Sequence, residues 1–109
     1  WSRTEADIRV KVGKAGVLLI NGDATYGALD PGRVKRGTVN TGEISAAVMP
    51  AGDRLSFAMG AGDTLPVDKG GESDCKVWMQ RVGPWLIVND NSNCGGFNVS
   101  FRGFYTRKP

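Results

Sequence analysis

The stretch that decides the fold runs from Cys75 to Tyr105 and reads CKVWMQRVGPWLIVNDNSNCGGFNVSFRGFY. Two runs of alternating apolar residues flank Gly83-Pro84, and the second cysteine opens onto a third run. Successive side chains of a strand point to opposite faces, so this alternation predicts strands with one buried face. We therefore predict a strand, a tight turn, a second strand and a glycine-rich corner, followed by a closing strand.

Cys75 and Cys94 are the only cysteines of the chain and bracket the predicted hairpin. An even cysteine count without any histidine argues against a Cys/His zinc site and favours an oxidising compartment. We predict a disulfide between them, the alternative being two buried free thiols. Closing a loop of this span contributes roughly 3 kcal/mol to stability in the chain-entropy model, which matters in a domain with a modest core.

Period-two patterning predicts further strands along the chain. It occurs at residues 8–12, 17–20, 44–48, 55–59 and 97–101, the last with Phe97, Val99 and Phe101 on one face. Asn21-Gly22 is typical of a turn that ends a strand, and residues 49–53 are predicted to make a hairpin of their two flanking strands. Residues 23–41 are predicted to be mostly loop, with a short strand near 25–29. Gly103 is predicted to introduce a bulge or bend.

These strands predict an all-β fold. The 109 residues suit one domain, and no segment has apolar residues at helical spacing over a useful length. We predict a single domain, 1–109, built as a small antiparallel up-and-down or meander β-barrel of about seven or eight strands, because closure removes exposed strand edges. A β-sandwich is the alternative. Sequence leaves open whether the interior is filled by side chains or holds a ligand.

The last third of the chain resembles a family of small bacterial periplasmic or secreted domains. The resemblance rests on a closing signature, D-N-x-x-C-G-G-x-N-V-x-F-x-G-x-Y-x-R, which begins here at Asp90 and ends at Arg107. Gly-Glu-Ile at 42–44 and Leu-Ser-Phe at 55–57 extend it. Such domains sometimes follow a lysozyme-inhibitor-type N-terminal domain. The resemblance implies a β-barrel of the cell envelope, periplasmic or secreted, of a kind that often has no assigned activity.

The composition of the chain argues against a nucleic-acid-binding protein, a membrane-spanning protein and an enzyme. The net charge is +3 with basic residues spread along the chain, whereas a nucleic-acid-binding face needs clustered charge. No apolar run approaches the ~18 residues of a membrane span. Without histidine or a G-x-S-x-G elbow, and with cysteines expected to be oxidised, we predict no enzyme, no cofactor and no metal site.

Three sets of residues are candidates for a binding surface. Trp78 and Trp85 flank the predicted turn and offer faces for a sugar ring or a partner groove; of the two, Trp78 is expected to be more exposed, and core packing is the alternative for at least one. An acidic set lies in the 60–74 connection, and a basic set lies in the 23–41 segment. The acidic set is Asp63, Asp68, Glu72 and Asp74, and the basic set is Arg33, Lys35 and Arg36. Solvated loop charge is the alternative for both.

We expect the domain to act by binding. The leading hypothesis is a protein-binding or inhibitor module for an envelope hydrolase such as lysozyme. Lysozymes are usually basic, so the acidic set would have to make the contact. The alternatives are a barrel that binds a small ligand or glycan, and an accessory structural domain without a ligand of its own.

Overall fold

Antiparallel strands form one continuous sheet in the computed structural model, which describes residues 1–60 and 62–107. The strands are Ser2–Arg3 (β1), Ala6–Val12 (β2), Leu18–Tyr26 (β3), Asn40–Val48 (β4), Arg54–Gly60 (β5), Asp63–Leu65 (β6), Cys75–Val82 (β7), Trp85–Asp90 (β8) and Gly103–Thr106 (β9). Their order in the sheet is β4-β3-β2-β1-β9-β8-β7-β5-β6. The predicted all-β, barrel-like class is confirmed, with nine strands among the described residues instead of about seven or eight; the short strands β1 and β6 have no counterpart in the prediction.

The sheet curls into a nearly closed barrel. The short strand β1 pairs with both β2 and β9, and so joins the two halves of the sheet. The outer strands β4 and β6 face each other across a seam, where the backbone N–H of Ala47 donates to Thr64 Oγ1 at 3.2 Å. This arrangement leaves little strand edge open to pairing with other chains.

Side chains fill the interior of the barrel over most of its length. Each strand turns its alternate residues inward, and the largest buried side chains come from many different strands and from the segment before β9. Those with almost no exposed surface are Tyr105, Phe57, Phe101, Ile8, Ile20, Ile44 and Val77. Burying one such side chain contributes about 1.5–3 kcal/mol, so this filled region is the main source of stability.

The predicted hairpin and disulfide are both confirmed. Strands β7 and β8 pair from Val77 with Asp90 to Val82 with Trp85, around the Gly83-Pro84 turn. The sulfur atoms of Cys75 and Cys94 are bonded at 2.04 Å, with 4.6 Å between the Cα atoms. The bridge ties the start of β7 to the glycine-rich corner beyond β8.

The predicted turn at Asn21-Gly22 is wrong, because β3 runs straight through it to Tyr26. Strand β3 pairs along its whole length with β4 and for most of it with β2, and these ladders override the local turn preference. Gly22 serves a packing role instead. A Cβ atom there would lie 2.9 Å from Ile44 Cγ1 and 3.1 Å from the ring of Phe101, so only glycine leaves room for these core side chains.

The predicted hairpin of the strands around residues 49–53 is also wrong. Strands β4 and β5 are consecutive but lie on opposite sides of the seam, and β5 pairs with β6 and β7 instead. Only an isolated bridge between Ala51 and Arg54 occurs in the connection. The 49–53 connection therefore spans the seam at one end of the barrel.

The predicted closing strand at residues 97–101 is a folded turn, and the closing strand is β9. Val99 and Phe101 are buried as alternation predicted, but Phe97 is 78% exposed. The backbone N–H of Phe101 donates to the buried carboxylate of Asp90 at 2.8 Å rather than to a neighbouring strand. Asn98 has a φ of 63°, which is incompatible with a regular strand. Gly103, with a φ of 146°, then starts β9.

Residues 23–41 hold more regular structure than predicted. Besides the ends of β3 and β4, they contain one short helix, Pro31–Arg36 (α1). The side chain of Asp30 caps it by accepting from the backbone N–H of Gly32, and Pro31 occupies the first turn. A helix of six residues is too short to show apolar residues at helical spacing, so the sequence pattern did not predict it. Two 3₁₀ turns, Lys14–Gly16 and Val67–Lys69, complete the described elements.

Candidate ligand-binding cleft

A cleft of about 830 Å³ opens at one end of the barrel. We call this end the mouth; it is formed where β2 ends and β3 begins, together with the 49–53 connection and the Gly83-Pro84 turn. We call the opposite end, which residues 91–102 cover, the closed end. Small-molecule sites in proteins typically measure roughly 300–1,000 Å³, so the cleft has a suitable size for a ligand.

The apolar wall of the cleft is the continuation of the barrel core. Along β2 the inward-facing residues pass from Ile8, which is fully buried, to Val10 at 39% exposure and Val12 at 74%. The same inner faces of the other strands supply the rest of the wall, which consists of Leu18, Leu55, Met79 and Leu86 with Trp1 beside them. Where the strands leave the packed core, their inner faces have nothing to cover them, and this creates the cleft.

Four arginines surround this wall, and two of them are held by partners. Arg9 makes ion pairs with Asp23 and Asp7, each at 2.9 Å. The hydrogen bond to Asp23, followed by that to Asp7, raises the pKa of Arg9 above its ordinary value. The guanidinium of Arg107 lies over the ring of Trp1, 5.1 Å from its centroid.

The other two, Arg54 and Arg81, are exposed at the cleft and uncommitted. Within residues 1–60 and 62–107, neither side chain makes an ion pair or a hydrogen bond. Their backbones are fixed: the N–H of Arg81 donates to the carbonyl of Asp53 at 2.9 Å, and Arg54 pairs with Gln80 in the ladder. Because a guanidinium stays charged and matches the geometry of carboxylate or phosphate, these two are suited to hold an anion.

Asp90 is the one buried charged residue of the described chain, and its role is structural. Its carboxylate accepts from the backbone N–H groups of Phe101 and Ser92 and from the hydroxyl of Ser100. Arg102 Nε lies 3.4 Å from it. The carboxylate thereby shapes the closed end, on the far side of the barrel from the cleft.

Tyr105 is likewise a core residue. Its hydroxyl donates to the carbonyl of Phe101 at 2.6 Å. Burial raises the pKa of Tyr105 to about 12, while the nearby Arg3 acts in the opposite direction. The tyrosine therefore stays neutral and is not placed to react.

The predicted aromatic candidates lie outside the cleft, on the outer face of the β7–β8 hairpin. Trp78 and Trp85 are 41% and 43% exposed, so the outward direction of Trp78 is confirmed, but the expectation that it is the more exposed of the two is wrong. Trp85 packs against Phe104 with ring centroids 6.3 Å apart. Trp78 borders a smaller groove of about 410 Å³ with Ile87 and Asn89.

The acidic set lies outside the cleft. Asp63 is in β6, Asp68 is in the Val67–Lys69 turn, and both are exposed. Glu72 is exposed, and its carbonyl rather than its carboxylate accepts from Asn93. Asp74 is half-buried and accepts from the backbone N–H of Gly71 at 2.7 Å, which fixes the local turn. None of the four lines the cleft.

The basic set lies in and around α1, at the closed end. Arg33 is used structurally: it lies 5.1 Å from the ring centroid of Tyr26 and donates to the carbonyl of Thr38 at 2.7 Å. Lys35 and Arg36 are exposed on the last turn of the helix. There they complement the negative end of the helix dipole. Their exposure agrees with the alternative given in the sequence analysis, in which these charges are solvated.

Sequence reasoning missed Arg54, Arg81 and Arg107. A signal existed for Arg81, which has the same parity as Val77 and Met79 and so belongs to the inner face of β7. A charged residue at an inner position near a strand end indicates an open barrel end. Arg54 and Arg107 gave no such signal, since their placement depends on the seam and on the pairing of β9.

The described residues contain neither a metal site nor a membrane-spanning helix. No group of three or more His, Cys, Asp or Glu side chains among them is placed to hold a metal ion. Nor does that part of the chain contain a helix long and apolar enough to cross a membrane.

Comparisons with models of known protein families, with curated proteins and with solved structures gave no match.

Proposed function

We propose that this domain binds a small amphipathic anion in the cleft at its mouth. The ligand has an apolar body and one carboxylate, sulfate or phosphate group. The observation that carries the proposal is an apolar wall beside two arginines, Arg54 and Arg81, whose side chains make no ion pair or hydrogen bond within the described residues and which both line one space of about 830 Å³. The apolar body lies along Val10, Leu18 and Leu55, and the anionic group meets the arginines.

The proposed activity is binding without a chemical step. The chain has no histidine that could act as a general base. Both cysteines are joined in the disulfide, so they supply no thiol nucleophile. The disulfide also supports the proposal of an oxidising location, periplasmic or secreted.

Varying the alkyl chain length and the charge of the ligand tests the apolar contacts and the arginine contacts separately. Each methylene group buried in an apolar site contributes about 0.8 kcal/mol, which corresponds to roughly a fourfold gain in affinity. We expect affinity for alkyl carboxylates and alkyl sulfates to rise with chain length until the cleft is full. The alkyl alcohol of equal length should bind at least about tenfold more weakly, because it lacks the charge-assisted bonds to the arginines.

Isothermal titration calorimetry with the intact domain tests this. The double variant R54A/R81A should weaken binding of the anions and leave binding of the alcohols almost unchanged. The matched control, K35A/R36A, removes the same number of charges at the closed end and should bind as wild type does. Equal affinity for alcohol and carboxylate, or equal loss in the control variant, would refute the proposal.

The hypothesis of an inhibitor of an envelope hydrolase stays a prediction. It depends on the acidic set, of which no member lines the cleft. An inhibition assay of the domain against several classes of lysozyme tests it separately, and the quadruple variant D63N/D68N/E72Q/D74N is the appropriate control.

A further inference from the structure

We propose that the mouth docks onto an anionic lipid surface, so that the cleft opens toward the bilayer from which its ligand comes. This rests in part on the proposed function, since it names the source of the amphipathic anion. Docking is tested at residues around the cleft that do not line it.

Charge is unevenly divided between the two ends of the barrel. The cleft and the β2–β3 turn beside it carry six basic residues, Arg9, Lys11, Lys14, Arg54, Arg81 and Arg107, against three acidic ones, Asp7, Asp53 and Asp23, the last of which is ion-paired with Arg9. The other described residues carry seven basic and eight acidic side chains. The domain is therefore positive at the mouth and slightly negative elsewhere, although the sequence alone shows its charges evenly spread. Such an asymmetry orients a protein with its mouth toward an anionic surface.

Each of three connections at the mouth presents an exposed apolar side chain. Val12 is 74% exposed at the end of β2, Met49 is 61% exposed after β4, and Val82 is 45% exposed at the end of β7. The first two connections are adjacent, since a Cβ atom on Gly16 would lie 3.6 Å from Met49 Sδ. Val12 lies at the rim of the cleft and Met49 and Val82 lie outside it, so all three are exposed at this end of the barrel and can enter a lipid headgroup region.

Two of these three apolar residues, Val12 and Val82, have cations beside them in the chain. Lys11 and Lys14 flank Val12, and Arg81 precedes Val82. Apolar side chains that enter the headgroup region, surrounded by cations that meet the lipid phosphates, are the combination that holds interfacial proteins on anionic bilayers. Single-stranded nucleic acid would instead require stacking platforms beside the charge, and these three residues are aliphatic.

Flotation with lipid vesicles tests the docking. We expect the domain to bind vesicles that contain roughly 30 mol % phosphatidylglycerol and not pure phosphatidylcholine vesicles, with binding lost near 0.5 M salt because screening then acts over a few ångströms. The variant K11S/K14S should lower the partition coefficient about 25-fold, at about fivefold for each cation. The variant M49S/V82S should lower it about tenfold or more.

Matched controls at the closed end keep the test specific. K35S/R36S removes two exposed cations, and L29S/V34S removes two exposed apolar residues of 71% and 53% exposure. Both should bind vesicles as wild type does, and thermal unfolding checks that every variant is folded. Equal loss in the controls, equal binding to neutral vesicles, or binding to heparin or DNA but not to vesicles would overturn the proposal.

The outcome is distinguishable from that of the proposed function. Lys11, Lys14, Met49 and Val82 do not line the cleft, so the docking variants should still bind a soluble alkyl sulfate. Vesicle binding by the wild-type protein, together with loss of alkyl sulfate binding in R54A/R81A, supports both proposals. Binding of alkyl sulfate without any vesicle binding refutes docking alone, and vesicle binding without any alkyl sulfate binding refutes the cleft alone.

Discussion

Replacing Asp90 by asparagine should destabilise the closed end of the barrel strongly. Asp90 is 2% exposed. Its Oδ2 accepts from the N–H of Phe101 at 2.8 Å, and its Oδ1 accepts from the N–H of Ser92 at 3.1 Å and the hydroxyl of Ser100 at 3.3 Å. Arg102 Nε lies 3.4 Å from Oδ1. The carboxylate is thus an acceptor on both oxygens and the partner of a cation.

Asparagine keeps the shape but turns one acceptor into a donor. In either orientation of the amide, an NH₂ group then faces a backbone N–H, and one buried hydrogen bond is lost. Hydrogen bonds to charged groups contribute about 1.5–3 kcal/mol each, and an orphaned buried donor costs about 1–3 kcal/mol. The free energy of unfolding should therefore fall by about 3 kcal/mol, which corresponds to a drop in Tm of roughly 10–15 °C for a domain of this size.

Urea unfolding of D90N beside the control D68N measures this effect. Asp68 is exposed on a 3₁₀ turn, so D68N should stay within about 0.5 kcal/mol of wild type. Hydrogen exchange should locate the damage, with faster exchange at the amides of Ser92 and Phe101 than at those of β2 and β3. A D90N protein as stable as D68N would show that the carboxylate does not hold the closed end together.

Three further predictions follow from the packing of the domain. Reduction of the disulfide, or the variant C75A/C94A, should lower the free energy of unfolding by roughly 3 kcal/mol in urea; an unchanged midpoint would contradict this. G42A should lower Tm far more than G71A, because a Cβ on Gly42 would meet the carbonyl of Cys94 and lie 2.7 Å from Gly95 Cα, whereas one on Gly71 has only an ordinary contact at 3.5 Å. Stability should fall as pH rises from about 10 to about 12, since unfolding releases the proton that burial keeps on Tyr105; Y105F should lose this part of the slope, and identical profiles would contradict it.

The strands could be predicted from the sequence because alternation is a local signal. It located β2, β4, β5, β7 and β8 and the turn between the last two. It failed at Asn21-Gly22, where pairing with neighbours on both sides keeps the chain extended. It also failed at residues 97–101, whose alternating burial arises from a folded turn around a buried carboxylate rather than from a strand.

The disulfide could be predicted because the chain has only one way to pair two cysteines. The cleft could not, because it depends on which strands meet around the barrel. Arg54 and Arg81 are 27 positions apart in the chain and lie at the cleft on neighbouring strands, because the β5–β7 ladder pairs Arg54 with Gln80. A pattern of residues that repeats along the chain does not reveal pairing between distant strands or the position of the seam.

NMR chemical-shift mapping with dodecyl sulfate below its micelle concentration tests the central claim most directly. We expect saturable shifts at the backbone amides of Val10, Leu18, Leu55 and Arg81 and at the side chain of Arg54, with the residues of α1 unchanged. Shifts confined to the outer-face groove around Trp78 and Asn89, or no saturable shifts anywhere, would contradict the assignment of the mouth as the ligand site.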